Sequence, residues 1–141
     1  MCRHLRSVWL NEGLKVLGAG QQHCGDTRAG YVFADSTIAS LTVPANVKGI
    51  ERAALDKCET IKRVEFREGR ETLGMGEEGS DVWNALFRDC GVEEVVLPST
   101  LREISPDIFK GCKSLKIVRV AKGCAVNVRK LVGFFVKVRQ K

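Results

Sequence analysis

The residue types best suited to chemistry in this 141-residue chain are six cysteines and two histidines. They are Cys2, Cys24, Cys58, Cys90, Cys112, Cys124, His4 and His23. No C-x-x-C occurs and the histidines form no paired zinc signature with the cysteines, so the pattern does not favour a metal site. Cys24 beside His23 could supply a nucleophile and a base, but residues adjacent in sequence rarely have the required geometry. Six cysteines could also form the disulfide framework of a small secreted protein, but the sequence shows no export signal.

A glycine-rich segment at residues 74–79, GMGEEG, matches the G-x-G-x-x-G pattern of dinucleotide sites. Such a site needs free amides between a strand and a helix, and Glu77 and Glu78 would repel the phosphates. The related segment at residues 18–23 lacks the third glycine, so we interpret both segments as turns. The motifs of serine hydrolases, zinc peptidases and P-loop proteins are absent from the sequence. We therefore predict no catalytic residue, no metal, no cofactor and no enzymatic activity.

The cysteine spacing instead indicates an internal repeat. Steps of 32 and 22 residues separate Cys58, Cys90 and Cys112, and Ser36 and Cys2 continue the alternation of short and long steps toward the N-terminus. Apolar residues follow each mark at fixed offsets, the last two of each triplet being two residues apart, which is typical of a strand. These triplets are Leu5, Val8, Leu10; Ile38, Leu41, Val43; Ile61, Val64, Phe66; Val92, Val95, Leu97; and Leu115, Val118, Val120. Regular spacing of this kind favours stacked repeats over a chemical site.

Two kinds of repeat alternate along the chain. In the shorter kind, Pro44 and Pro98 directly follow the predicted strand, where a missing N–H costs no ladder bond. A second apolar pair follows each strand, except in the third repeat, where Arg70 replaces one member. Ser105-Pro106-Asp107 predicts the start of a short helix, and Ser80-Asp81 predicts an equivalent helix in the longer kind.

The pattern C-x-x-L/V-x-x-V-x-L-P-x-x-L-x-x-I-x-x-x-x-F-x-x-C, clearest at residues 90–112, resembles the BspA-type leucine-rich repeat. The resemblance covers about five repeats over residues 2–126. It implies an α/β solenoid, a right-handed superhelix with a short parallel sheet on one face and short helices or turns opposite. Members of that family are typically interaction modules of bacteria and protists, often surface-associated, without catalytic residues in the repeat.

The predicted domain organisation is a leucine-rich-repeat solenoid over residues 1–128 and a basic capping segment over residues 129–141. Repeats start near residues 2, 36, 58, 90 and 112, with insertions at about 18–31 and 74–85. The apolar segment at 130–139 favours a strand that closes the last repeat, although a segment anchored to an anionic partner is the alternative. Cys58, Cys90 and Cys112 are predicted to stack as small buried side chains, and Cys124 is also predicted to be in the core.

Charge is divided unevenly along the chain. Residues 1–109 carry 13 basic and 17 acidic residues, a net charge of −4, whereas residues 110–141 carry ten basic residues and no acidic one. Any binding of nucleic acid or another polyanion is therefore predicted for residues 110–141, although scattered lysines more commonly form solvated surface. The residues predicted to contact such a partner are Arg129, Lys130, Lys137, Arg139 and Lys141.

Residues between the apolar strand positions are predicted to project from the sheet and to bind a protein partner. The predicted contacts are Trp9, Thr42, Arg63, Glu65, Glu94, Val96 and Arg119. Strand-favouring residues could occupy these positions for propensity alone, and Trp9 could pack on a neighbouring segment. We expect a non-enzymatic scaffold module, with a structural subunit of a larger assembly, docked by its basic segment, as the alternative. No export signal or membrane-spanning stretch is seen, which favours an intracellular location, or a surface location if the chain is a fragment.

Overall fold

The computed structural model describes residues 6–10, 16–17, 37–47, 49–50, 58–73, 87, 90–105, 108–132 and 136–140. Ten short strands lie in these residues. They are β1 (Ser7–Trp9), β2 (Val16–Leu17), β3 (Ser40–Val43), β4 (Gly49–Ile50), β5 (Arg63–Phe66), β6 (Thr72–Leu73), β7 (Glu94–Val96), β8 (Glu103–Ile104), β9 (Ile117–Val120) and β10 (Lys137–Gln140). The insertions predicted at 18–31 and 74–85 lie outside the described residues.

Six of the strands form one parallel sheet in the order β1-β3-β5-β7-β9-β10. The five strands β1, β3, β5, β7 and β9 each follow a predicted repeat mark by four or five residues, and equivalent residues pair without a register shift. The parallel stacking of one strand per repeat is therefore confirmed. The solenoid, its superhelical path and its handedness stay predictions.

The core lies along the inner face of this sheet. Leu41, Val64, Val95 and Val118 are fully buried and occupy one continuous row of the parallel register. β-Branched residues fit a pleated, buried surface of this kind. Because each repeat presents only a few apolar side chains, the row becomes a core only when neighbouring repeats stack.

The second apolar pairs form two smaller parallel ladders beside the main sheet. Leu17 of β2 pairs with Ile50 of β4, and Leu73 of β6 pairs with Ile104 of β8. In the two repeats that carry a proline after the strand, a turn at that proline leads to the ladder strand: the Val47 N–H donates to the Pro44 carbonyl at 3.4 Å before β4, and the Leu101 N–H donates to the Pro98 carbonyl at 3.3 Å before β8.

The predicted helix at Ser105 is wrong in the part of this region that the structure describes. The Ile108 N–H donates to the Ser105 carbonyl at 3.3 Å, and the Cys112 N–H donates to the Phe109 carbonyl at 3.2 Å, which makes consecutive turns. Nucleation of so short a helix is unfavourable, because several backbone dihedrals are fixed for very few hydrogen bonds. The turns bury Ile108 and Phe109 without a helix. The only helical segment within the described ranges is a 3-10 turn at Val128–Lys130. The equivalent helix predicted from Ser80 lies outside the described residues.

The strand predicted near the C-terminus is present as β10, which pairs in parallel with β9. The Lys137 N–H donates to the Lys116 carbonyl at 2.7 Å, and Val136 is buried against the core. The described part of the sheet therefore has six strands, one from each of the five repeats counted in the sequence and β10 from the C-terminal segment. The domain boundary at residue 128 stays a prediction.

Arg70, which interrupts the apolar pattern of the third repeat, is only 6% exposed. Its guanidinium donates hydrogen bonds to the backbone carbonyls of Pro44 (3.1 Å) and Val47 in the preceding repeat. Burial lowers the pKa of Arg70. The hydrogen bonds to the carbonyls allow a charged residue to occupy a position that is apolar in neighbouring repeats.

No helix in the described part of the chain has the length and apolar character needed to cross a bilayer.

Candidate functional site

The outward-facing residues of the six-stranded sheet form two rows, which we call the outer face. The first row is Ser7, Ser40, Arg63, Glu94, Ile117 and Lys137, and the second is Trp9, Thr42, Glu65, Val96, Arg119 and Arg139. Side chains alternate between the two faces of a strand, so the residues between these rows belong to the core. The outer face contains all seven residues that were predicted to contact a protein partner.

Four of those residues form a continuous chain of ion pairs across three strands. Arg63 Nη1 lies 3.0 Å from Glu65 Oε2, and Arg63 Nε lies 3.6 Å from Glu94 Oε2. Glu94 Oε1 also accepts a hydrogen bond from Arg119 Nε. The centre of the outer face therefore carries two positive and two negative charges that compensate one another.

A second set of ion pairs lies at the start of the same strands and was not predicted. Glu93 contacts Lys116 at 3.2 Å and Lys62 at 3.7 Å. The hydrogen bond and charge of Lys116, with a smaller effect from Lys62, lower the pKa of Glu93. The signal in the sequence was a charge of alternating sign in the last three repeats, directly after the first apolar residue of the triplet: Lys62, Glu93 and Lys116.

Trp9 is the exposed aromatic residue of the outer face. Its side chain is 71% exposed, so a neighbouring segment does not bury it. Arg67 Cζ lies 5.6 Å from the centre of the Trp9 ring, within the range of a cation–π contact. The neighbouring residue in the row, Thr42, is small and half-buried. An amphipathic aromatic group beside a small polar residue is a suitable anchor for a protein contact.

The expectation that Val96 is open to solvent is wrong. By register Val96 lies in the outer row between Glu65 and Arg119, but it is only 3% exposed. The side chains on both sides are much longer than valine, and short residues between long neighbours lose access to water. Any contact of Val96 with a partner would require these neighbours to move.

The basic residues predicted to meet an anionic partner do not form one cluster. Lys137 and Arg139 are exposed and lie on the outer face, at the end of the sheet. Arg129 and Lys130 lie in the 3-10 turn, outside the sheet, where the Arg129 guanidinium donates to the Val136 carbonyl. Lys141 lies outside the described residues.

Comparison with known proteins supports the repeat assignment. The family model for the BspA type leucine rich repeat region matches residues 27–77 and 80–128, with six copies. The chain belongs to this family. No curated protein and no solved structure gave a match. Leucine-rich repeats usually mediate protein interactions and are typically non-enzymatic, so the chain is a repeat module of the protein-interaction type.

The four cysteines in the described part of the chain, Cys58, Cys90, Cys112 and Cys124, are free thiols. Cys58 and Cys90 are buried as predicted, whereas Cys112 and Cys124 are only partly buried and pack against the core.

Cys90 and Cys112 are close enough for each to shift the pKa of the other's thiol. Their hydrogen bond, together with burial, raises the pKa of Cys90, while the same hydrogen bond lowers the pKa of Cys112. The Cys90 thiol also contacts the Phe87 carbonyl at 3.0 Å. Among the described residues, histidine, cysteine and acidic side chains form no group of three that could hold a metal ion. The pair formed by Cys24 and His23, and the glycine-rich segment 74–79, lie outside the described residues.

An open depression of about 260 Å³ lies at the ladder formed by β6 and β8, away from the outer face. Its polar side chains are already engaged. Thr100 donates to the Arg70 carbonyl at 2.8 Å, and Ser99 donates to Glu68 at 2.6 Å. The outer face is therefore the stronger candidate for a functional surface.

Proposed function

We propose that this chain is a non-enzymatic scaffold module that binds another protein through the outer face of its parallel sheet. The observation that carries the proposal is the exposed Trp9 ring at one end of a row that continues through six strands. Exposed tryptophan is enriched among residues that dominate binding energy. The row spans five strand spacings, about 24 Å, which is enough for a segment of about seven extended residues.

The test compares partners captured from the organism's own cells by three forms of the protein. One is the wild type, and another carries Trp9→Ala, Arg63→Ala and Glu94→Ala. The control carries Arg102→Ala and Glu103→Ala, which likewise removes one cation and one anion but lies at β8. Captured proteins are identified by mass spectrometry and their binding is repeated with purified components. We expect a partner that the wild type and the control retain and the outer-face variant loses. The same partners in all three captures would refute the proposal.

A second candidate is a structural subunit that docks to RNA or another anionic partner through its basic end. The supporting observation is that residues 110–141 carry ten basic residues and no acidic one. Binding of this kind weakens steeply with salt, because each neutralised phosphate releases counterions. Binding that does not change between 50 and 200 mM salt, values at which polyanion affinity ordinarily falls by orders of magnitude, would refute this candidate.

A further inference from the structure

Positive charge on the outer face is compensated in its centre and uncompensated at its β9–β10 end. Arg63 and Arg119 share Glu94, as described above. Lys137 and Arg139 make no ion pair within the part of the chain that the structure describes. Their neighbours in the register are Ile117 and Arg119. The end of the sheet therefore presents two exposed cations without an anion.

The register also places two like charges side by side. Arg119 pairs with Arg139 across strands that lie about 4.8 Å apart. Like charges on neighbouring strands repel each other. Because Glu94 is already shared between two arginines, a further carboxylate at this end would meet Arg119, Lys137 and Arg139 together. The geometry favours an external anion there over the centre of the outer face, where Glu65 and Glu94 compensate the arginines.

We propose that the β9–β10 end of the outer face binds an acidic segment of a protein partner, with Lys137 and Arg139 as the principal contacts. This inference rests on the proposed function and specifies the chemistry of the partner. Arg119 contributes as a shared charge. Arg129 and Lys130 are outside the contact, since they lie in the 3-10 turn rather than in the sheet.

The distribution of charge along the outer face favours a protein segment over a nucleic acid. From Trp9 to Arg139 the second row runs from neutral residues, past Glu65, to two arginines. A nucleic acid lying along this row would carry phosphates at regular intervals, and some of them would lie next to Glu65. A protein segment can place its carboxylates at one end only and an apolar side chain near Trp9. The row is complementary to that uneven pattern and not to a uniform polyanion.

The experiment uses hexaglutamate as the acidic probe and hexauridylate as the nucleic-acid probe, each titrated into the isotope-labelled 141-residue protein. Backbone amide shifts give the binding site and the affinity together. We expect hexaglutamate to shift amides of residues 117–119 and 137–139 and to leave residues 7–9 unchanged. The variant Lys137→Glu with Arg139→Glu should bind hexaglutamate at least tenfold more weakly. The matched control, Lys110→Glu with Lys113→Glu, carries the same net charge but alters exposed residues in the turn before β9, and should lose no more than twofold.

Three results of the titrations would overturn the inference: equal loss of affinity in both variants, tighter binding of hexauridylate at the same amides, or shifts confined to other residues. Self-association that the Lys137→Glu, Arg139→Glu variant abolishes would instead assign this end of the face to a second copy, and would also overturn it. Unfolding curves of both variants show whether either has lost its fold. If hexaglutamate does not bind but the Trp9 variant still loses a captured partner, the inference fails and the proposed function stands. If hexaglutamate binds and all captures are identical, the proposed function fails by itself.

Discussion

Replacing Glu94 with glutamine is expected to lower stability and strengthen acidic binding at the same time. Glutamine keeps the size of the side chain and its oxygen acceptor but removes the charge that Arg63 and Arg119 share. The centre of the outer face then changes from neutral to positive. The two effects have opposite signs because the same carboxylate stabilises the fold and repels an acidic partner.

The stability effect follows from the two ion pairs. Glu94 is 24% exposed in its side chain, and its two arginines are 39% and 41% exposed, so water screens both pairs substantially. Exposed ion pairs contribute about 0.2–1 kcal/mol each, which gives a loss of about 1 kcal/mol for Glu94→Gln. For a chain of this length that loss lowers the melting temperature by about 3–4 °C. The effect on binding is similar in size: a carboxylate roughly 7 Å away in water repels another by about 0.6 kcal/mol, or about threefold in affinity.

Urea unfolding and a hexaglutamate titration measure both quantities on one sample. Glu103→Gln is the matched control, because Glu103 is an exposed acid on β8 with no ion pair in the described part of the chain. We expect the control to leave both values unchanged. If Glu94→Gln is as stable as Glu103→Gln, the shared ion pairs do not contribute to folding. If Glu94→Gln weakens hexaglutamate binding, the electrostatic account of the β9–β10 end is wrong.

Three further predictions concern packing, acid stability and thiol reactivity. Gly91→Ala should destabilise the chain by about 3 kcal/mol in urea unfolding, since an added Cβ would lie 2.9 Å from the carbonyl carbon of Glu59 and closer still to its oxygen. A loss of less than about 1 kcal/mol would contradict this packing. Glu93→Gln should make the stability of the fold less sensitive to acid, because Glu93 has a pKa below its ordinary value of 4.5 in the folded chain. The charged side chain stabilises the fold above pH 4.5, and this contribution disappears as pH falls through the lower pKa of the folded state. Melting temperatures that differ between variant and wild type only below about pH 4 would refute it. Iodoacetamide should label Cys112 before Cys90, because Cys112 has the lowered pKa and is partly exposed. Mass spectrometry over time measures the order, and faster labelling of Cys90 would contradict it.

The strands were predictable because the same pattern of apolar residues recurs in each of the five repeats. The positions of Leu41, Val64, Val95 and Val118 follow from period-two alternation at a constant offset from the repeat mark. Alternation fixes which face a side chain is on, but not how far its neighbours cover it. Val96 illustrates the limit, since it is on the predicted face and nevertheless buried.

The helices and the charge contacts depended on information that a single repeat does not contain. The residues from Ser105 onward favour a helix start locally, but the segment forms turns, because turns are sufficient to bury Ile108 and Phe109. Arg70 is stabilised by carbonyls 23 and 26 residues away, which only stacking brings together. The Arg63–Glu94 ion pair could have been inferred from opposite charges at one repeat position, once the parallel register was assumed, whereas Arg119 reaches Glu94 diagonally from the register position of Val96.

The stacking also changes where the boundary between acidic and basic parts of the molecule lies. In the sequence the basic segment begins after residue 109, yet Lys116 and Arg119 are compensated by Glu93 and Glu94 of the preceding repeat. Acidic side chains therefore compensate the positive charges on the sheet as far as β9, but not on β10. The segment's total of ten basic residues overstates the attraction that a partner on the outer face would experience, since only Lys137 and Arg139 lie there without an acidic neighbour. A partner selected by this face needs few acidic residues, placed at one end, and specificity must come from their position relative to the Trp9 contact rather than from total charge.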